Sequence, residues 1–450
     1  MQPQTSGLNR RDMLRAATGL VAGMTWARFA HAEDRPPVTR PRATSGDTAV
    51  EPDWEQRITI TVGPANADIS GTTEKVIQAA VDYVTRMGGG TVQVLPGEYR
   101  LRNAVYIPSG IRINGSGLDS VLIKEPSVET TLDEDSDWYD QEITLKDASG
   151  FQVGDGICLQ CKNPDHGGAQ VVKRTLVARS GNRFKLDKAL RDNFWMEAKP
   201  SVTTLFPLLT AEYATDITIE NITLDGNRAN NAHLDGNYAG GIWMQDCSRL
   251  VFRGITSRNN NGDGLSWQIC HDVLVEQCHS HDNADLGMHP GSGSQRPLIR
   301  NNTVERCNIG IFFCWGVKYG LAEKNTVADI ATAGISIGHR DDENLVRDND
   351  VLRSGQVGVL FRPERGEGYT PKGNRVENNR IVDSGGDDGI GVDVQGVTAG
   401  NMIARNEIRE TRGPASRIGI RLGAESGENA LVENQIEGYA TAIADLRKAQ

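Results

Sequence analysis

Gly334-Ile335-Ser336-Ile337, then Leu345-Val346-Arg347, then Asp350-Val351-Leu352, with glycine, asparagine and charged turns between them, is the stretch that decides the fold. Each piece alternates apolar and polar residues with period two, the pattern of a strand with one buried face, and no interval leaves room for a crossover helix. The unit recurs. Glycine followed by an aliphatic residue stands at Gly241-Ile242, Gly264-Leu265, Gly287-Met288, Gly310-Ile311, Gly334-Ile335 and Gly358-Val359, at spacings of 23, 23, 23, 24 and 24. Later copies at Gly391-Val392 and Gly419-Ile420 are stretched by longer loops. Asn302, Asn325, Asn349, Asn379, Asn406 and Asn434 keep the same phase, each two residues before an aliphatic in N-x-[VI]. Two markers in phase predict a solenoid with three short strands per coil, in which equivalent residues lie ~4.8 Å apart. Asparagines stacked at one turn then hydrogen-bond along the axis.

Working outward, residues 129–200 break the pattern, and the coils resume at Ile217-Thr218-Ile219-Glu220-Asn221-Ile222. Ahead of the break, Thr72 can cap a helix whose Val76, Ala79, Ala80, Tyr83, Val84 and Met87 form one apolar stripe ending at Gly88-Gly89-Gly90. An open solenoid end exposes strand edges, so a capping helix is physically expected. The expected organisation is an export signal at 1–32, a flexible leader at 33–55, cap and first coils at 56–128, a small β insertion at 129–200 and repeats carrying the site at 201–450.

Asn9-Arg10-Arg11-Asp12 followed by an apolar stretch from Ala16 to Trp26 and by Ala30-His31-Ala32 reads as a targeting peptide with an A-x-A-type cleavage signal. The mature protein is therefore expected in the periplasm or outside the cell, and no later apolar run approaches the ~20 residues of a membrane span. Removing residues 1–32 takes away four arginines and one aspartate, so the net charge of −11 becomes −14 and bulk attraction to nucleic acid is not expected. Seven cysteines form no dense disulfide framework. Cys158 with Cys161, or Cys247 with Cys270 on adjacent coils, can pair or stay reduced. Oligomeric state is not legible.

These coils resemble the right-handed parallel β-helix superfamily, all-β solenoids that include pectate lyases, polygalacturonases, alginate and chondroitin lyases and mannuronan epimerases. The resemblance covers about residues 56–445. The helix followed by Thr91-Val92-Gln93-Val94-Leu95-Pro96-Gly97-Glu98-Tyr99 looks like the cap and first coil of many members, and Gly150-Phe151-Gln152-Val153-Gly154-Asp155 resembles part of a small β insertion seen in some. The paired arginines resemble a twin-arginine signal. The resemblance implies that a polysaccharide binds along the strand face that follows each glycine.

Alternation assigns the same face independently. Residues one and three after the glycine are apolar and fill the interior, as in Ile242/Met244, Leu265/Trp267 and Ile311/Phe313. Residues two and four after it point outward, giving the columns Trp243, Ser266, His289, Phe312, Ser336 and Gln245, Gln268, Gly291, Cys314, Gly338, Arg362. A single histidine on such a face is more often a hydrogen-bonded surface residue than a catalyst. The cluster around His289 raises the weight of the catalytic reading.

Lyase chemistry or C5 epimerisation of a uronate polymer needs a base beside the carboxylate and a cation or donor to offset developing charge. The assigned roles are His289 as base, Arg296 or Arg340 as neutraliser, and Tyr319 or Lys318 as acid. Trp243, Gln245, Gln268, His271, Phe312 and His339 are expected to bind substrate, while Arg362, three coils or ~14 Å from His289, grips another sugar unit. Leu286-Gly287-Met288-His289-Pro290 resembles a segment of alginate epimerases, with Met288 in the place of their acidic residue. Hydrolysis by the paired carboxyls of Asp263 and Asp285 is the competing enzyme reading. A non-catalytic glycan-binding or accessory solenoid is a third. The acidic groups can hold Ca²⁺ through several oxygens, although no dedicated loop is present.

Overall fold

The structure is a computed structural model that describes residues 35–40, 43–44, 51–164 and 166–447. The export signal at 1–32 lies outside the described residues.

Each coil runs through three strands in constant order: Gly240–Gln245, Ser248–Arg253, Thr256–Arg258, then Asp263–Gln268, His271–Glu276, His279–His281, and onward to Thr441–Asp445. Neighbouring coils pair in parallel in the register of the repeat, Ile242 with Leu265, Leu265 with Met288, Met288 with Ile311 and Ile311 with Ile335. The result is a right-handed parallel β-helix with three walls, parallel sheets of 13, 11 and 11 strands. We call the wall that contains Gly240–Gln245 and Asp263–Gln268 the groove wall, and the 13-stranded wall that contains Ser248–Arg253 and His271–Glu276 the ladder wall.

The inward residues close the core as alternation predicts. Ile242, Met244, Leu265, Trp267, Ile311, Phe313, Ile335 and Ile337 are all fully buried, each stabilising the stack by about 1.5–3 kcal/mol. Asparagines staple the corner between the ladder wall and the third wall. Asn302 donates to Asn325 (2.9 Å), Asn325 to Asn349 (2.9 Å), Asn349 to Asn379 (2.9 Å) and Asn379 to Asn406 (3.0 Å). A second ladder, Asn344 to Asn374 to Asn401 to Asn429, runs down the corner between the groove and ladder walls.

At the N-terminal end the cap is the helix Glu74–Arg86 with Thr73, not Thr72, at its N-cap. Its buried face is Ile77, Ala80, Val81 and Val84, a cleaner i, i+3, i+4, i+7 stripe than the one expected. Tyr83 and Met87, expected on that face, are 48% and 58% exposed. The insertion is a six-stranded antiparallel sheet from Glu129–Thr131 to Ser201–Thr203, with a separate core that includes Ile143, Leu159, Phe184 and Phe194. Coils resume at Leu209–Glu212, earlier than Ile217, because that strand pairs with Val105–Tyr106 across the insertion and with Gly240–Gln245.

The described leader residues lie against the solenoid. Thr39 bonds Glu343 (2.9 Å), the Arg40 amide donates to the Tyr319 hydroxyl (3.0 Å), Thr44 bonds Asp272 (3.0 Å) and Glu51 pairs with Arg253 (2.7 Å). All seven cysteines are free thiols. Among the described residues no helix is long and apolar enough to cross a membrane.

Candidate active site on the groove wall

Outward side chains on most of a solenoid wall face solvent, but on the groove wall two elements lean over them. One is the turn formed by residues 226–239, far longer than its counterpart 259–262 in the next coil. The other is the insertion. They meet in a small apolar cluster of Cys158, Leu205, Leu234 and Ala239, with Val171, Ala232 and Tyr238 packed against it. Lys173 from the insertion donates to the Tyr238 carbonyl and sits 4.6 Å over the Trp243 ring. Burial lowers this ammonium to about 8. What remains open is a groove of about 670 Å³, lined by His233, Asp235, Tyr238, Gln268, Asp285, His289, Phe312 and Trp315 among others.

Asp263 and His289 come together at its floor. Their residues are offset by one coil and by three positions along the strand, and their side chains converge over the wall: Asp263 Oδ2 is 2.8 Å from His289 Nδ1. The second Asp263 oxygen accepts from the Leu286 amide at 3.1 Å. Gly236 lies directly over the carboxylate, where a Cβ would come within 1.8 Å of Oδ2, so the long turn can close here only with glycine. Ser266 donates to the Gly236 carbonyl (3.0 Å) and also lies 3.3 Å from His289 Nδ1. Phe312 meets the imidazole edge-on at 5.4 Å. His289 is 2% exposed, yet its surroundings are these polar and aromatic groups rather than aliphatics.

A carboxylate on Nδ1 holds the proton there and leaves the lone pair on Nε2. Nε2 lies 3.5 Å from the Gln268 amide nitrogen. Burial raises the Asp263 carboxyl above its ordinary value, against the opposing pull of the imidazole. At the rim, Asp285 Oδ2 is 2.7 Å from His233 Nε2. Of the residues expected to form the site, His289, Asp263, Asp285, Gln245, Gln268 and Phe312 therefore line one groove.

Other expectations are corrected. Trp243 also borders the groove but is 1% exposed under Lys173, so its ring face cannot stack on a sugar. Arg296 turns to the corner with the ladder wall, where it is buried 3.6 Å from Asp272 and its carbonyl accepts from Arg35. Tyr319 is buried beneath the leader at Arg40, and Lys318 pairs with Asp342 at 2.7 Å. His271 sits in the same corner, its pKa lowered by burial. None of these four lines the groove, because the backbone turns the corner just after the outward column and carries them onto the next side.

Arg340 and His339 lie further along, in the corner turns that carry Trp315 and Tyr369. Arg362 is nearer to the dyad than its coil number implies: its side chain reaches back over Gly338 to donate to Ser336 Oγ (2.9 Å) and the Phe313 carbonyl (2.8 Å), with its guanidinium 4.4 Å from the Phe312 ring. Phe312 thus separates Arg362 from His289. The Asp341 carboxyl, 3.3 Å from Arg362, is pushed by burial up to about 7.

His233, Asp235, Tyr238, Lys173 and Trp315 carry no motif in the sequence. The only signal for the first three was the unusual length of residues 226–239, and Trp315 follows directly on the outward column at Cys314. Among the described residues no three His, Cys, Asp or Glu side chains converge as metal ligands.

Fold and groove together define a right-handed parallel β-helix with a polar, aromatic-edged site on one wall. The family model for the right-handed β-helix region matches residues 210–359, the coils that carry Trp243 to Val359. Among solved structures, the chain is similar to the A-module of the Azotobacter vinelandii mannuronan C-5 epimerase AlgE4, at 15% identity over 86% of this chain and 100% of that one, with a TM-score of 0.50. It is also similar to PfbA, a surface adhesin of Streptococcus pneumoniae, at 11% identity over 85% of this chain and 93% of that one, with a TM-score of 0.49. A third is the Pseudomonas phage phi297 tailspike gp61, at 13% identity over 80% of this chain and 69% of that one, with a TM-score of 0.40. Likeness at such identities is likeness of fold alone. No curated protein matches the sequence.

Proposed function

We propose that this protein is a polysaccharide-processing enzyme in which His289, oriented by Asp263, is the general base. The observation that carries the proposal is the buried carboxylate–imidazole pair at 2.8 Å on the floor of an open groove. A dyad that fixes the tautomer and leaves Nε2 as acceptor is the arrangement general-base catalysis requires. The groove is edged by Tyr238, Phe312 and Trp315, whose apolar faces suit sugar rings.

The reaction we assign is hydrolysis of a glycosidic bond. Among the described residues, three carboxyl residues, Asp235, Asp263 and Asp285, line the groove and no lysine or arginine does. Such a lining repels the carboxylate of a uronate at the reacting position and leaves the charge of an elimination transition state without a cation. In the hydrolytic route, His289 Nε2 takes a proton from water, the water oxygen bonds to the anomeric carbon as the glycosidic bond breaks, and Asp285, beside His233 at the rim, is the carboxyl that returns a proton to the departing oxygen. Elimination or epimerisation keeps His289 as base, but Arg296, Lys318 and Tyr319 are turned away from it.

Incubation with neutral and uronate polysaccharides, followed by separate assays of reducing ends and of unsaturated ends, tests the assignment. Reducing ends alone are expected, with activity lost in His289→Gln. Unsaturated ends would replace hydrolysis by elimination, and the absence of both across the panel would leave C5 epimerisation or a binding solenoid. Export through the signal at residues 1–32 belongs to the same proposal, since polymeric substrates lie outside the cytoplasm, and cell fractionation checks it.

A further inference from the structure

We propose that the lengthened corner beside the groove, on the coils after His289, is a second subsite that binds a carboxylate-bearing sugar unit of the same polymer. This rests on the polysaccharide reading above and adds a substrate class to it: a chain with uncharged units at the reacting position and acidic units further along.

The two sites share Trp315, which lines the groove and is 49% exposed. Away from the groove, Trp315 stacks on His339 (4.4 Å, 27°) and His339 packs on Tyr369 (4.9 Å, 40°), making a run of rings parallel to the solenoid axis. Two guanidiniums border it. Arg365 lies 5.8 Å from the Trp315 ring and 5.7 Å from Tyr369, and Arg340 lies 4.7 Å from Tyr369.

Neither arginine has an ion pair among the described residues. Glu364, the residue before Arg365, is already engaged by the backbone amide and Nδ1 of His339 (3.2 Å), and its side chain is only 9% exposed. Glu367, exposed in the same turn, pairs with neither arginine. In a chain of net charge −11, where the arginines of the ladder wall are held by carboxylates, two exposed and uncompensated guanidiniums beside an aromatic rail mark a place kept for an outside anion. The 49%-exposed Trp315 takes the apolar part of a sugar, and a guanidinium takes its carboxylate through two parallel hydrogen bonds. The groove's own lining is acidic, so the field changes sign along the wall and fixes the direction in which a mixed polymer lies.

The test uses the full chain carrying His289→Gln, which binds without turnover, titrated by tryptophan fluorescence. The probes are oligosaccharides of polygalacturonate, polymannuronate and hyaluronan, with cellohexaose as the neutral control. At least one acidic oligosaccharide is expected to bind, more weakly as salt rises. Adding Arg340→Ala with Arg365→Ala should lower the acidic-to-neutral affinity ratio by about tenfold and flatten the salt dependence. Trp315→Ala should remove most of the fluorescence change. An unchanged ratio in the double arginine variant, or no binding of any acidic probe, overturns the subsite. If neutral polymers are hydrolysed while the arginines prove irrelevant, the enzyme stands and the subsite falls; arginine-dependent binding without turnover in the native protein gives the converse.

Discussion

The ladder wall and the groove wall repeat at the same ~4.8 Å, and both carry charged side chains outward, but only the ladder wall is electrically closed. There Glu220, Arg253, Glu276, Arg300, Glu323, Arg347 and Glu377 stand in register on successive coils. Arg253 meets Glu220 at 2.9 Å and Glu276 at 2.8 Å, Arg300 meets Glu276 at 2.8 Å, and Arg347 meets Glu323 at 2.9 Å. Each sign answers the next. The column on the groove wall runs Trp243, Ser266, His289, Phe312, Ser336, and its one titratable member draws its partner, Asp263, from the neighbouring coil. The contrast teaches that in a solenoid the number of charges on a face says little about function. What matters is whether the repeat satisfies them along the axis or leaves a group, here the His289 imidazole, at the wall of a cavity.

That contrast can be broken by substitutions on each wall. The largest effect is expected from His289→Gln, which keeps a donor toward Asp263 and removes the base: a fall of 10²- to 10⁴-fold in turnover with a thermal midpoint near the wild type. A loss of stability without a selective loss of turnover would make His289 structural. Asp263→Asn should cost about 10- to 100-fold by releasing the imidazole tautomer. Because burial raises the Asp263 carboxyl, the native enzyme should lose activity on acidification above the usual aspartate range. As pH falls, the carboxyl takes up its proton early and no longer accepts from Nδ1–H. The asparagine variant should lack that component of the pH profile.

On the other side of the comparison, Asn349→Ala removes a ladder member that donates to the Ala322 carbonyl (3.0 Å) and to Asn379 (2.9 Å) and accepts from Asn325 (2.9 Å). It should lower stability by about 1–3 kcal/mol through the buried groups left unpaired, measured by denaturant unfolding, with kcat unchanged. The smallest effect is expected from Glu276→Gln, which strips the shared carboxylate from Arg253 and Arg300. A loss of about 1 kcal/mol is expected, shrinking as salt is added. Were turnover to fall with it, the ladder wall would not be the inert partner described here.

Much of this was legible because a solenoid is nearly one-dimensional. A residue's neighbours along a wall are its equivalents one period away, so Gly264-Leu265 and Gly287-Met288 suffice to put Ser266 beside His289, and the asparagine phase suffices to predict the ladder. Inward and outward faces followed from alternation, and Trp267 and Phe313 are core as that rule requires. The errors begin where the period stops. Sequence proximity to the strand puts Arg296, Lys318 and Tyr319 at the site, although the corner carries them to another side. Counting coils puts Arg362 far from His289, although its long flexible side chain spans two of them to reach the Phe313 carbonyl.

By itself the sequence determined the coil, its register, its inside and outside, and the column that contains His289, because those depend only on nearest-neighbour strand pairing repeated at a constant interval. The tertiary structure alone decided that Gly236 closes over Asp263, that Lys173 of the insertion covers Trp243, and that Trp315 rather than Trp243 meets the solvent. Those contacts join segments of no common period, and their geometry comes from how irregular turns pack on the finished wall, which no spacing along the chain encodes.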